Sequence, residues 1–159
     1  DDTRRPHCGD RCGYHPEYPE HVQGIFSPSA TEQLSNRVYK VTNNELNLET
    51  ISLNFTATGC TVNLKTNRGA ESFPCGYGQW VYGETTLFNE FWRPEPRKTA
   101  TSAAWTDATT LTMLIRLHET PFVQRVLFHF ADDQLKIEMR VNVDFIPPQT
   151  RVLIGHPIL

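Results

Sequence analysis

Two cysteines and three histidines fall within the stretch "RRPHCGDRCGYHPEYPEH", residues 4–21. Thiolate and imidazole are the ligands zinc prefers, so Cys8, Cys12 and His15, with His7 or His21, have the chemistry of a metal site. The spacing argues against one. A structural zinc site is usually built from two separated ligand pairs, whereas here every candidate lies between His7 and His21, in a run broken by Pro16 and Pro19. A small Cys8–Cys12 disulfide loop, or a staple onto the rest of the chain, is the simpler reading, and no metal or cofactor is expected.

Cys60 and Cys75 lie on either side of a turn at Asn67-Arg68. A hairpin closed there sets the two cysteines directly opposite each other, at a Cα spacing that suits a disulfide. A bond between them is expected, with two facing buried thiols as the alternative. Asn54-Phe55-Thr56 is an N-glycosylation sequon.

Catalytic chemistry finds no anchor. No G-x-S-x-G elbow and no phosphate-cradling glycine loop occurs. Asp132-Asp133 and His118-Glu119 fall in turns, and His129 alternates with Phe128 and Phe130 and so faces away from them. These groups read as structural or solvated, and the chain as more plausibly a binding protein than an enzyme. Aromatic residues are the better lead. "GYGQWVYGETTLFNEFW" carries Tyr77, Trp80, Tyr82, Phe88, Phe91 and Trp92, the last three in the longest connection between strands. A loop of this kind covers the mouth of a barrel, either as a plug or as the wall of a binding cavity.

The elements that must position these residues are strands. "LKIEMRVNVDF" alternates apolar and polar residues throughout, the pattern of a half-buried antiparallel strand. An Asp132-Asp133 turn then sets Phe130 opposite Leu135, Phe128 opposite Ile137 and Val126 opposite Met139. Across "HETP", Leu111, Met113 and Ile115 meet Phe128, Val126 and Gln124. "TATSAAW" precedes them, with Ala100, Ser102 and Ala104 expected to face the bulky side chains of the next strand. A turn at Thr58-Gly59 would pair Phe55 with Val62 and Leu53 with Leu64. "SATEQLSN" is the one helical candidate, capped by Ser29.

About eight sequential strands joined by hairpins make an all-β, antiparallel, up-and-down barrel, which removes the edge-strand problem by closure. The division expected is a Cys- and Pro-rich irregular arm, stapled by disulfides, over residues 1–35 and a β-barrel over 36–159.

The 159 residues suit one domain. A net charge of −3 with scattered Lys and Arg gives no footprint for nucleic acid, and no apolar run is long enough to cross a bilayer as a helix. The start at Asp1, the even cysteine count and the sequon together suggest an extracellular, secreted glycoprotein.

"LNLETISLNF", "CTVNLKTNRGAESFPCGYGQWVYGETTL", "SAAWTDATTLTMLIRLHETPF" and "VLFHFADDQLKIEMRVNVDF" resemble, in order and spacing, the β-barrel domain that follows the catalytic domain of penicillin-binding-protein and class C β-lactamase-type serine hydrolases. The resemblance implies a lipocalin-like barrel without the activity, because S-x-x-K and Tyr-x-Asn are both absent. The expected function is binding of an apolar small molecule or a protein partner, a second copy included. An accessory domain of a serine hydrolase and a barrel isomerase or cyclase are the alternatives. A ligand would meet Met113, Phe128 and Met139 inside, with Phe91, Trp92 and Trp80 near the mouth.

Overall fold

Residues 28–89, 93–118, 120–141 and 150–158 are described by a computed structural model. Wherever one face of a strand is buried and the other wet, the alternation in sequence becomes alternation in space. A helix, α1 (Pro28–Leu34), precedes ten strands: β1 (Tyr39–Val41), β2 (Leu48–Phe55), β3 (Gly59–Thr66), β4 (Gly69–Tyr77) and β5 (Val81–Thr85), then β6 (Arg97–Trp105), β7 (Thr110–Leu117), β8 (Val123–Phe130), β9 (Leu135–Val141) and β10 (Arg151–Pro157). The eight strands expected become ten because β5 and β10 are elements of their own. Leu34 of α1 packs against the core.

The order in space is β4-β3-β2-β1-β10-β9-β8-β7-β6-β5, with every neighbouring pair antiparallel. The ring closes through a short parallel pairing of β4 with β6, Gly76 beside Ser102 and Tyr77 beside Ala103, so the barrel is not purely antiparallel.

Three further features accompany this closure where β4 and β5 meet. The Gly78 amide donates to the Ala103 carbonyl at 3.3 Å. Midway, Gly83 has no side chain to collide with Pro74, whose Cδ would lie 2.8 Å from a Cβ there. At the far end the Glu71 carboxylate accepts from the Thr85 hydroxyl, from the Thr86 hydroxyl at 2.7 Å and from the Thr86 amide at 3.0 Å.

Three registers are those the pattern predicts. Phe130, Phe128 and Val126 face Leu135, Ile137 and Met139. Leu111, Met113 and Ile115 face Phe128, Val126 and Gln124. Cys60 faces Cys75.

Two readings need correction. The β2–β3 turn centres on Ala57-Thr58, so Leu53 meets Val62 and Phe55 meets Cys60. That is a shift of one partner pair, which keeps each residue on its face. In β6 it is Thr99, Thr101, Ala103 and Trp105 that share a face with Leu117, Ile115, Met113 and Leu111 inside the barrel. Ala100, Ser102 and Ala104 lie on the outer wall, opposite Arg116, Leu114 and Thr112.

The inward residues form one continuous core from Tyr39 and Leu48 on one side to Phe73, Met113 and Ile137 on the other. A small second cluster, Ala104 and Leu114 under Trp80 and Val123, sits outside the barrel wall.

Candidate functional site

Hairpin geometry places the turns alternately at two ends. At one end lie the turns after β2, β6 and β8. Five aromatic side chains fill it. Trp105 and Phe130 have centroids 5.7 Å apart, Phe55 lies 5.6 Å from Trp105, and Tyr39 and Phe128 flank Phe130 at 6.3 and 6.4 Å. Three of these contacts are tilted and the Phe128–Phe130 pair is stacked, and ring pairs at such distances pack favourably, so aromatic side chains seal this end.

The other end, called the mouth here, carries the connections after β1, β3, β5, β7 and β9, of which residues 90–92, 119 and 142–149 lie outside the described residues. Asn44 ties the β1–β2 turn, its amide donating to the Thr42 and Leu48 carbonyls at 2.8 and 2.9 Å and its side-chain oxygen accepting from the Leu46 and Leu48 amides. Leu46, Phe88 and Phe122 lie half-buried against the core at this end. Clefts open around the rim, one of about 430 Å³ bounded by Arg116, His118 and Phe122, and one of about 190 Å³ bounded by Arg93, Arg97, Lys98 and His118.

Between the ends lie the buried side chains of the described core. Ala103, Met113, Val126 and Met139 form one row across four adjacent strands, each directly opposite the next. Met113 is 0% and Met139 4% exposed. An interior packed by its own side chains is common in small barrels.

The polar groups on this inward wall divide sharply. Thr85 is bonded to Glu71, and the Thr66 hydroxyl accepts from the Arg68 amide at 3.1 Å. On the outer wall Thr110 is bonded to His129 and Thr112 to Thr106. Thr99 and Thr101, 1% and 0% exposed, have hydroxyls with no partner, as does Ser102 between them on the outer wall. A buried hydroxyl left unpaired costs about 1–3 kcal/mol, and each such group calls for an explanation. Composition could not single out these two among the chain's threonines; register and hydrogen-bond partners together separate them.

Sequence-selected residues are placed as follows. Met113, Phe128 and Met139 face inward, with Phe128 in the row next to that of the methionines. Trp80 does not. It lies on the outer wall, where the Arg116 guanidinium stacks 4.6 Å from its ring centre. Phe88 packs on the core, while Phe91 and Trp92, like Cys8, Cys12 and the arm histidines, lie outside the described residues.

Cys60 and Cys75 face each other as free thiols, so the expected disulfide is not present. Burial pushes the Cys75 thiol well above its ordinary value, and its hydrogen bond with Cys60 and the charge Cys60 would carry add to the shift. Tyr77 beside them is pushed up to about 12 by burial, against a hydrogen bond from Trp105 that lowers it. Asn54 is exposed, and its side-chain oxygen accepts from Ser35 at 3.2 Å. His129, on the outer wall, lies 3.6 Å from Glu138. The His118 ring lies 5.5 Å from Tyr82.

No protein-family model matches the chain, and no curated protein matches it. Solved structures do. The Schistosoma mansoni fatty-acid-binding protein in complex with arachidonic acid has a TM-score of 0.61 and 9% identity over 82% of this chain and 99% of its own. Fatty-acid-binding protein 1 of Echinococcus granulosus has a TM-score of 0.58 at 9% identity, over 77% of this chain and 96% of its own. The fatty-acid-binding protein of Manduca sexta has 0.54 at 10%, over 79% and 99%. The resemblance to the barrel that follows a serine-hydrolase catalytic domain is thereby corrected. Alternating strands and short turns recur in any meander, so the sequence pieces that carried that resemblance do not distinguish one barrel family from another. At such low identity the likeness is one of fold: the chain is an all-β closed barrel of the kind seen in fatty-acid-binding proteins.

Proposed function

We propose that the chain is a non-catalytic binding barrel that takes an apolar small molecule into its interior from the mouth end. The observation that carries this is the central row. Ala103 leaves one wall thin, and the two methionines opposite, Met113 and Met139, are unbranched and repack at little cost. A row of rigid β-branched side chains would hold the barrel shut; this row can yield. The fold shared with fatty-acid-binding proteins supports the reading. An extracellular location belongs to the same proposal, resting on the exposed sequon residue Asn54.

Filling the thin wall tests it. The wild type should bind a neutral environment-sensitive dye such as Nile red at one site, with its fluorescence enhanced. Ala103→Leu should weaken that binding at least tenfold, and Ala103→Val by less, with both variants still melting cooperatively. Absence of any binding to the wild type would sink the interior-ligand reading. It would favour a protein partner instead, for which Val38 and Ile158, exposed neighbours joined by a backbone hydrogen bond, are the starting surface.

A further inference from the structure

We infer that the rim of the barrel carries a second binding site, separate from the interior: a basic cleft between the start of β6 and the turn after β7 that takes the phosphate group of a small, soluble phosphate monoester. The inference goes beyond the interior-binding reading and does not depend on it.

Three observations carry it. First, one cleft gathers basic groups from three parts of the chain. The cleft of about 190 Å³ is bounded by Arg93 from the β5–β6 connection, by Arg97 and Lys98 at the start of β6, and by His118 just after β7. Pro96 and Thr120 complete its described walls, which therefore hold no carboxylate. Among the described residues Arg93, Lys98 and His118 are in no ion pair, not even Lys98 with Glu84, its partner across the β5–β6 ladder. Arg97, opposite Thr85 on the inward face, has contacts of its own and adds to the positive charge. Like charges drawn together in this way repel one another. An anion entering the cleft turns the same field into attraction.

Second, the backbone under these groups is held in place. The Arg93 carbonyl accepts from the Arg68 guanidinium at 3.0 Å and from the Asn89 side-chain amide at 3.1 Å. The His118 amide donates to the Lys98 carbonyl at 2.9 Å, which ties the turn after β7 to β6. Thr120 ties that turn again, its hydroxyl donating to the Leu117 carbonyl at 3.0 Å and accepting from the Phe122 amide at 3.2 Å. Phosphate suits such a set better than a carboxylate does. It carries more charge, guanidinium forks meet it with two parallel N–H donors, and lysine binds it as a point charge.

Third, an apolar cleft adjoins the basic one, since His118 and Thr120 bound both. The second cleft, of about 430 Å³, is otherwise bounded by Arg116, Leu117, Pro121, Phe122 and Val123. That is the size of a site for a small organic molecule. A phosphate seated in the first cleft thus has an apolar wall beside it for its ester group, with space for one ring system and not for a long chain.

Phenyl phosphate, inorganic phosphate and phenol, titrated into the full chain at low ionic strength in a phosphate-free buffer, test the site by calorimetry and backbone amide NMR. Phenyl phosphate should bind one to one and at least fivefold more tightly than inorganic phosphate, with phenol undetected. The largest shifts should fall at the Lys98, His118, Thr120 and Val123 amides. Arg93→Gln and Lys98→Met should each weaken phenyl phosphate at least threefold. Without ligand both should melt at or above the wild-type temperature, because each relieves repulsion. Lys40→Met, which removes a cation from β1, should leave the affinity within twofold. A lipid headgroup offers the same phosphate chemistry, so vesicles of phosphatidylcholine and phosphatidic acid supply the second source. At equal exposed phosphate they should bind more weakly than phenyl phosphate. No binding of phenyl phosphate, an equal loss in Lys40→Met, or shifts confined to other amides would overturn the site. Inorganic phosphate binding as tightly as its phenyl ester would overturn the ester, and tighter binding to vesicles would overturn the soluble source. Nile red reports on the interior alone, so the two readings fail separately.

Discussion

Cys75 illustrates how much one residue's chemistry depends on where the fold puts it. Opposite Cys60 and buried, its thiol resists ionisation, so it is a poor nucleophile in the native protein. Tyr77, raised to about 12, shares that surrounding. Both groups hold their protons to higher pH when folded than when unfolded. Stability should therefore be whole below the unfolded values, 9.0 and 10.0, and decline as the pH rises through the folded ones. The urea midpoint is expected to be flat between about pH 7 and 8 and to fall steadily above about pH 9. Cys75→Val should flatten the first part of the fall and Tyr77→Phe the later part. An alkaline fall identical in both variants and the wild type would place its origin elsewhere.

At the scale of elements, β8 and β9 were legible because each has one wet face and a short turn that pins the register. β6 was not. All six positions from Thr99 to Ala104 are buried, so no polar–apolar alternation marks which side faces in, and the small residues that suggested an inward face lie outside. The β2–β3 turn was misplaced through Gly59, which reads as a turn glycine. Its missing side chain serves the neighbouring strand instead, since a Cβ there would come within 1.9 Å of the Cys75 carbonyl oxygen. β10 escaped notice for a similar reason. Gly155 interrupts its pattern because Tyr39 of β1 packs against it, 3.0 Å from where a Cβ would be. The candidate site was half legible: the inward methionines follow from alternation, whereas Thr99 and Thr101 emerge only once partners are assigned in space.

The seam between β4 and β5 has its own expected behaviour. Among the described residues β4 and β5 share no ladder; the nearest pairing, of β4 with β6, lies at the sealed end, so the Glu71 carboxylate is the tie at the other end. Glu71→Ala should lower stability by about 1–3 kcal/mol, the usual effect of leaving buried donors unpaired. Native-state hydrogen exchange should speed up at the Thr86 and Leu87 amides and leave the β8–β9 ladder slow. Equal acceleration everywhere would mean that the tie acts on global stability alone.

For the whole molecule, the spatial order of strands is the sequence order cut once and rejoined. Beginning at β5 and passing through β10 to β1 and on to β4, each strand lies beside its successor. The natural connectivity breaks that run at the β1–β10 pair, where Ile158 donates to the Val38 carbonyl at 2.9 Å. Two strands that meet late in the ring are thus separated by most of the chain, and closing so long a loop before the pair forms is what slows folding. A rearranged gene that joins residue 158 to residue 38 through a short glycine turn, and opens the chain between Gly78 and Gln79, converts this distant pair into a hairpin. The rearranged protein should refold faster than the natural chain in stopped-flow experiments, with the long-range step transferred to the short β4–β6 contact. A slower or unchanged rate would mean that docking at the seam, not closure of the ring at β1–β10, limits the natural protein. The one place where the barrel is not laced along its length is then also the place where evolution or an engineer can cut it, insert a sequence, or fuse a second domain without disturbing any hairpin.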